Sequence, residues 1–170
     1  MKSEKYMYDR ATEKHGWYPV RVSPGGMDRF RSGLEATGME CYYNPAAFRD
    51  LCFVHGTRAA IDTVVSGMDK SIAVHYLWDG VKFAPAVVPD KLMGDFMKVA
   101  ESDEESRLCL ERVSTLLKDC RKVRVTSGMY SGIEGNLVRI KKTLRVMVVL
   151  PGDIAVATGY IRPECMEVLV

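Results

Sequence analysis

No apolar run in the chain approaches the ~18 residues that a membrane span requires, and the opening MKSEKYMYDR lacks the apolar stretch of a secretory signal. The expectation is a cytoplasmic protein with no membrane partner. Neither a C-x2-C nor an H-x3-H spacing occurs among the five cysteines and three histidines, so no structural metal site is expected. Cys41, Cys52, Cys109, Cys120 and Cys165 are odd in number and set in apolar segments, which suits reduced core thiols rather than disulfides.

The chemistry of catalysis is also missing. Cys52 or Cys109 with His55 as a base has no recognisable third group to orient it, so nucleophilic catalysis is not expected. Gly128, Gly132 and Gly135 are followed by neither Lys-Ser/Thr nor a helix, which excludes a phosphate loop. We expect no enzyme, no catalytic residues, no cofactor and no small-molecule substrate. A net charge of +2 is too weak to imply nucleic-acid binding by itself, although the charge is uneven. Residues 121–170 carry eight Lys/Arg against four Asp/Glu, while residues 101–119 carry three against six.

What is present is an ordinary folded composition, 47% hydrophobic and 27% charged over 170 residues, enough for two small domains. After a polar leader at 1–14, WYPVRVS reads as a strand ending at the turn former Pro24-Gly25-Gly26. Met27, Phe30 and Leu34 recur at helical spacing up to Gly38. MECYYN and LCFVH are strand candidates, and Thr57 is placed to cap a helix running to Ser66, with Gly67 after it. SIAVHYLW and VKFAPAVV are further strands, and DKLMGDFMKVA carries an apolar stripe of Leu92, Met93, Phe96 and Val99. The order βαββαββα over residues 15–100 indicates a mixed sheet with helices packed on it. Residues 101–119 form an acidic linker, either helical or irregular, with a candidate capping box from Ser102 to Glu105. From 120 to 170 only strands and turns are legible: RKVRVTSG, MYSGIEG, NLVRIKK, TLRVMVVLPG and DIAVATGYI indicate a small barrel.

VRVTSGMYSGIEGNLVRI resembles a KOW motif, a strand, a glycine-punctuated loop ending in Glu134-Gly135, and a returning strand. WYPVRVSPGG with the helix after it resembles the opening of the NusG N-terminal domain. AFRDLCFVHGT stands in the place of that family's FPGYVFV-like strand. FAPAVVPDKLMGDF is similar to the proline-bounded strand and helix of specialised paralogues of the RfaH and UpxY type. The chain thus resembles the NusG family over residues 16–100 and 121–170. One departure is that Arg49, Asp50 and Leu51 replace the family's Pro-Gly-Tyr.

The resemblance implies an α+β protein: a mixed-sheet α/β sandwich of the NGN type, then a small SH3-like KOW β-barrel. It implies a transcription elongation or antitermination factor that binds the clamp of RNA polymerase and acts on specific operons, such as surface-polysaccharide operons in UpxY-like relatives. Phe48, Leu51 and Phe53, then Tyr76 and Trp78, match the polymerase-binding surface. Arg29, with Arg21 and Arg31 beside it, matches a surface facing non-template DNA. Met129, Tyr130 and Ile133 match the KOW loop that meets Rho or a ribosomal small-subunit protein. The alternative of a different class is a ribosome- or RNA-binding KOW protein.

Overall fold

The computed structural model describes residues 14–102 and 107–170. The expected leader lies outside these residues except for Lys14, and so does Glu105 of the expected capping box.

Two of the expected helices form where capping and periodicity place them. α1 (Met27–Ala36) buries Phe30 and Leu34, which are four residues apart on one face, and Gly38 follows at φ +73°. α2 (Arg58–Ser66) is capped by Thr57, whose Oγ1 accepts from the Ala60 amide at 3.2 Å, and buries Ile61. These helices lie on one face of a sheet built from β1 (Gly16–Val22), β2 (Cys41–Tyr42), β3 (Leu51–Gly56) and β4 (Val74–Tyr76), in the order β2-β3-β1-β4. Tyr18, Val20, Val22, Cys52 and Val54 meet Phe30, Leu34 and Ile61 in one buried cluster.

Every pairing in this sheet is antiparallel, which corrects the expected mixed sheet. The physical reason is local: neither helix carries the chain back to a parallel neighbour. Two residues each of β5 (Trp78–Asp79) and β6 (Ala84–Pro85) make a separate hairpin before α3 (Asp90–Ala100). α3 buries Met93, Phe96, Val99 and Ala100 on the opposite face of the sheet.

The C-terminal half is a six-stranded sheet of β7 (Leu108–Glu111), β8 (Lys122–Val125), β9 (Glu134–Ile140), β10 (Thr143–Leu150), β11 (Ile154–Ala157) and β12 (Met166–Val168). Its order is β12-β8-β9-β10-β11-β7, so the hydrogen-bonded row stays open and no closed barrel forms among the described residues. Two expectations are corrected here. The segment expected as an acidic linker supplies β7 and a 3-10 turn at Ser114–Leu117; Val113 from this stretch is buried with Val138, Met147, Ala155 and Ala157. MYSGIEG is mostly loop rather than strand, and the fifth strand of the C-terminal stretch is Met166–Val168 instead. The tight return from this loop explains Gly135: a Cβ there would sit 2.5 Å from the Met147 carbonyl oxygen across the ladder.

The second face of the sheet is where the halves meet. α3 lies across β10 and β11 as well as β1. One continuous buried cluster runs from Trp17, Leu51 and Phe53 through Met93, Phe96 and Val99 to Val123, Val146, Val148, Leu150, Ile154 and Val156. At roughly 1.5–3 kcal/mol for each large apolar side chain taken from water, this cluster is a principal source of cohesion for both halves.

Candidate interaction surface

β3 lies between β1 and β2, with helices α1 and α2 on one side and α3 on the other. Leu51 and Phe53 point to the α3 side and are fully buried. The Phe53 ring lies 5.2 Å from that of Phe96, and Phe48 stacks on Phe96 at 6.2 Å. Phe48, Leu51 and Phe53, expected at a polymerase contact, are therefore enclosed in this arrangement. α3 and the C-terminal sheet already occupy that face.

Polar groups ring the apolar contact. Arg21 on β1 pairs through Nη1 with Asp50 at 2.6 Å and through Nη2 with Glu111 of β7 at 2.9 Å, joining the two sheets. Burial pulls the Arg21 pKa down, but its bonds to Glu111 and Asp50 outweigh that and leave it raised. Asn44 Nδ2 donates to the Ala100 carbonyl at 3.1 Å, and Arg107 Nη1 donates to the carbonyls of Ala100 and Ser102. On the other flank Lys98 Nζ donates to the Ser131 carbonyl at 2.9 Å, and the Glu134 amide donates to Asp95 Oδ2 at 3.3 Å. Such half-exposed ion pairs contribute little energy each, about 0–1 kcal/mol, but they fix orientation.

The three arginines expected to face DNA all have partners within the protein. Arg21 is the bridge just described, Arg29 pairs with Asp69 at 3.2 Å, and the Arg31 guanidinium lies 5.0 Å above the Tyr43 ring. They do not converge into one basic patch through these contacts. In the KOW-like loop, Met129 is 66% exposed, whereas Tyr130 and Ile133 are buried in the shared cluster. Tyr130 donates from its hydroxyl to Ser102 Oγ at 2.9 Å. Tyr130 and Ile133, expected at a partner surface, are enclosed because the loop lies along α3, bonded to it from Lys91 and Asp95 to Lys98.

Tyr76 is half-buried and donates to Asp62 Oδ1 at 2.5 Å; burial first, then this bond, pushes its pKa up. Trp78 is 57% exposed and lies in the β5–β6 hairpin, not on β4 with Tyr76. Two residues that sequence reasoning missed stand beside it, Val81 at 88% and Phe83 at 78% exposure. The hairpin tip has a defined shape. The buried Asp79 carboxylate accepts from the amides of Val81 and Lys82 at 2.9 and 3.2 Å, an Asx turn that directs its charge inward. Phe83 adopts φ +52°, a left-handed conformation costing about 1–2 kcal/mol for a side chain of this kind. The Asp79-Gly80 pair between aromatic and β-branched residues was the available signal for this turn.

His55 sits between carboxylates, Nε2 at 3.1 Å from Asp90 and Nδ1 at 3.6 Å from Glu40, with the His15 ring edge-on at 4.6 Å. It borders an open cleft of about 470 Å³ together with Thr37 and Thr57. Among the described residues no three His, Cys, Asp or Glu side chains are arranged to hold a metal ion, and no helix is long and apolar enough to cross a membrane. No family model matches the chain, and no curated protein matches it.

Proposed function

We propose that this chain is a transcription elongation regulator that binds RNA polymerase and promotes processivity or antitermination, at specific operons, in the cytoplasm. The observation that carries the reading is architectural. A four-stranded antiparallel sheet has two helices on one face and one on the other, and a strand meander follows in which β12 returns to pair with β8. Taken with the order of the motifs in the sequence, we read this arrangement as an NGN-like unit followed by a KOW-like unit whose six strands form an open row. The functional step from it is one of analogy.

Binding that favours the closed clamp would shift the clamp equilibrium by the difference in affinity between its two states, tenfold for each ~1.4 kcal/mol. Of the residues assigned to polymerase, Trp78 is the most exposed in this arrangement, at 57%, with Val81 and Phe83 extending the same apolar tip. Leu51 and Phe53 become available only if the C-terminal sheet and α3 leave β3. Met129 remains presented for a second partner, Rho or a ribosomal small-subunit protein.

The test is retention on the immobilised full chain at moderate salt. Core polymerase subunits retained by the wild type, and retained less by Trp78→Ser, support the reading. Ribosomal RNA retained instead, and lost steeply as salt rises, would replace it with an RNA-binding function.

A further inference from the structure

We propose that Cys41 and Cys52 form an oxidisable dithiol pair, which hydrogen peroxide converts to a disulfide that clamps edge strand β2 onto β3. In the ladder Cys41 lies opposite Val54 and Tyr42 opposite Phe53, so Cys52 is the diagonal neighbour of Cys41 on the same face. Both side chains belong to the cluster under α1 and α2, Cys52 fully buried and Cys41 half-exposed at the sheet edge. Of the other three cysteines, Cys109 on β7 and Cys165 next to β12 stand at opposite edges of the C-terminal sheet.

Geometry sets what closure demands. A disulfide needs Cα atoms about 4.4–6.8 Å apart, whereas diagonal partners usually stand about 7–8 Å apart; the strands are already at their contact spacing, so β2 must slide along β3 by about 1 Å. β2 is only two residues long and pairs on one side only, which makes it the strand of this sheet best able to shift. Burial pushes the Cys52 thiol up, and its contact with Cys41 adds to this. The resting pair is thus protonated at Cys52, and reaction begins at the more accessible sulfur.

The Cys41 thiolate attacks one peroxide oxygen, the O–O bond breaks, and the departing hydroxide takes a proton to leave as water. Cys41 is then a sulfenic acid. The Cys52 sulfur, giving up its proton, displaces hydroxide from the Cys41 sulfur and forms the S–S bond, and the hydroxide and proton leave as a second water. Two thiols have lost two electrons and one peroxide has been reduced to two waters. The bond closes a ring containing Asn44, Phe48 and Asp50. These residues hold the Ala100 carbonyl, the Phe96 ring and the Arg21 bridge, so oxidation stiffens the loop that grips α3 and the C-terminal half.

The experiment treats the reduced full chain with peroxide, removes the excess, and titrates thiols in denaturant. Expected are the loss of two of the five thiols, a Cys41–Cys52 linked peptide in the proteolytic digest, and full recovery of thiols with dithiothreitol. Cys41→Ser, whose change lies at the half-exposed edge, and Cys52→Ala should each form no such link. Five thiols still titratable, a linked peptide joining any other pair, or Cys41 carried past sulfenic acid without bridging would each overturn the proposal.

Discussion

A single aspartate for leucine separates two roles that Leu51 could have. In this structure Leu51 is enclosed by α3 and the C-terminal sheet, so a charge there has neither water nor a partner. Leu51→Asp should therefore cost about 3–5 kcal/mol and lower the melting temperature by roughly 10 °C or more, before any partner is involved. A variant that melts with the wild type would place Leu51 at the surface. The sequence could not decide this. Alternation along β3 puts Leu51 and Phe53 on one face and Cys52 and Val54 on the other, but both faces are buried, and alternation distinguishes faces only when one meets water. Glu134 offers a residue-scale test through acid. Its carboxyl is held below the usual range first by its bonds to Arg124. A depressed folded-state pKa stabilises the protein above the ordinary carboxylate value and loses that contribution as pH falls through the folded value. Urea midpoints measured from about pH 4.3 downward should therefore fall less steeply for Glu134→Gln than for the wild type. Parallel slopes would show that the Arg124 pair has no linkage to folding.

At the scale of elements, legibility followed how local the determinants were. α1, α2 and α3 were readable because period, caps and stops lie within each segment: Thr57 before α2, Pro89 before α3, Gly38 after α1. β7 was not, because its strand conformation is imposed by pairing with β11, some forty residues later, and its own neighbourhood is acidic and polar. β12 was missed for a similar reason, being three residues long with two exposed side chains, and pairing with β8. The hairpin at 78–85 was seen as strands, but its exposed tip was not, since exposure depends on what the rest of the fold fails to cover. α3 also contains a local flaw that can be corrected. Gly94 lies in the interior of the helix on its exposed side, and a Cβ added there would meet nothing within 4 Å. Gly94→Ala should therefore stabilise the protein by about 0.5–1 kcal/mol, through lower backbone entropy in the unfolded chain. Thermal melting checks it, and a fall in melting temperature would mean that this turn of α3 meets something beyond the single chain.

For the whole molecule, the question is whether two sequence-defined halves behave as two thermodynamic units. Residues 15–100 and 120–170 each have their own periodicity, which is why the sequence reads as two domains. The folded chain nevertheless shares one apolar cluster across them, with α3 at its centre. Phe96 is the most telling residue, because it is fully buried and its ring touches Phe48 and Phe53 while its cluster includes Val146 and Val148 of β10. Phe96→Ala should cost about 3–5 kcal/mol. If the halves fold as one unit, that cost must appear in both. Both tryptophans, Trp17 and Trp78, lie in the N-terminal half, so fluorescence reports that half, while amide exchange at Val146 and Val148 reports β10. The expected result is that the fluorescence transition and the β10 protection weaken together by the same free energy, with a single denaturant transition in wild type and variant alike. Fluorescence shifting while β10 keeps its protection would show that the cluster joins the halves only as a weak dock. The C-terminal sheet could then separate from β3 at little cost, and Leu51 and Phe53 would be available to a partner after all.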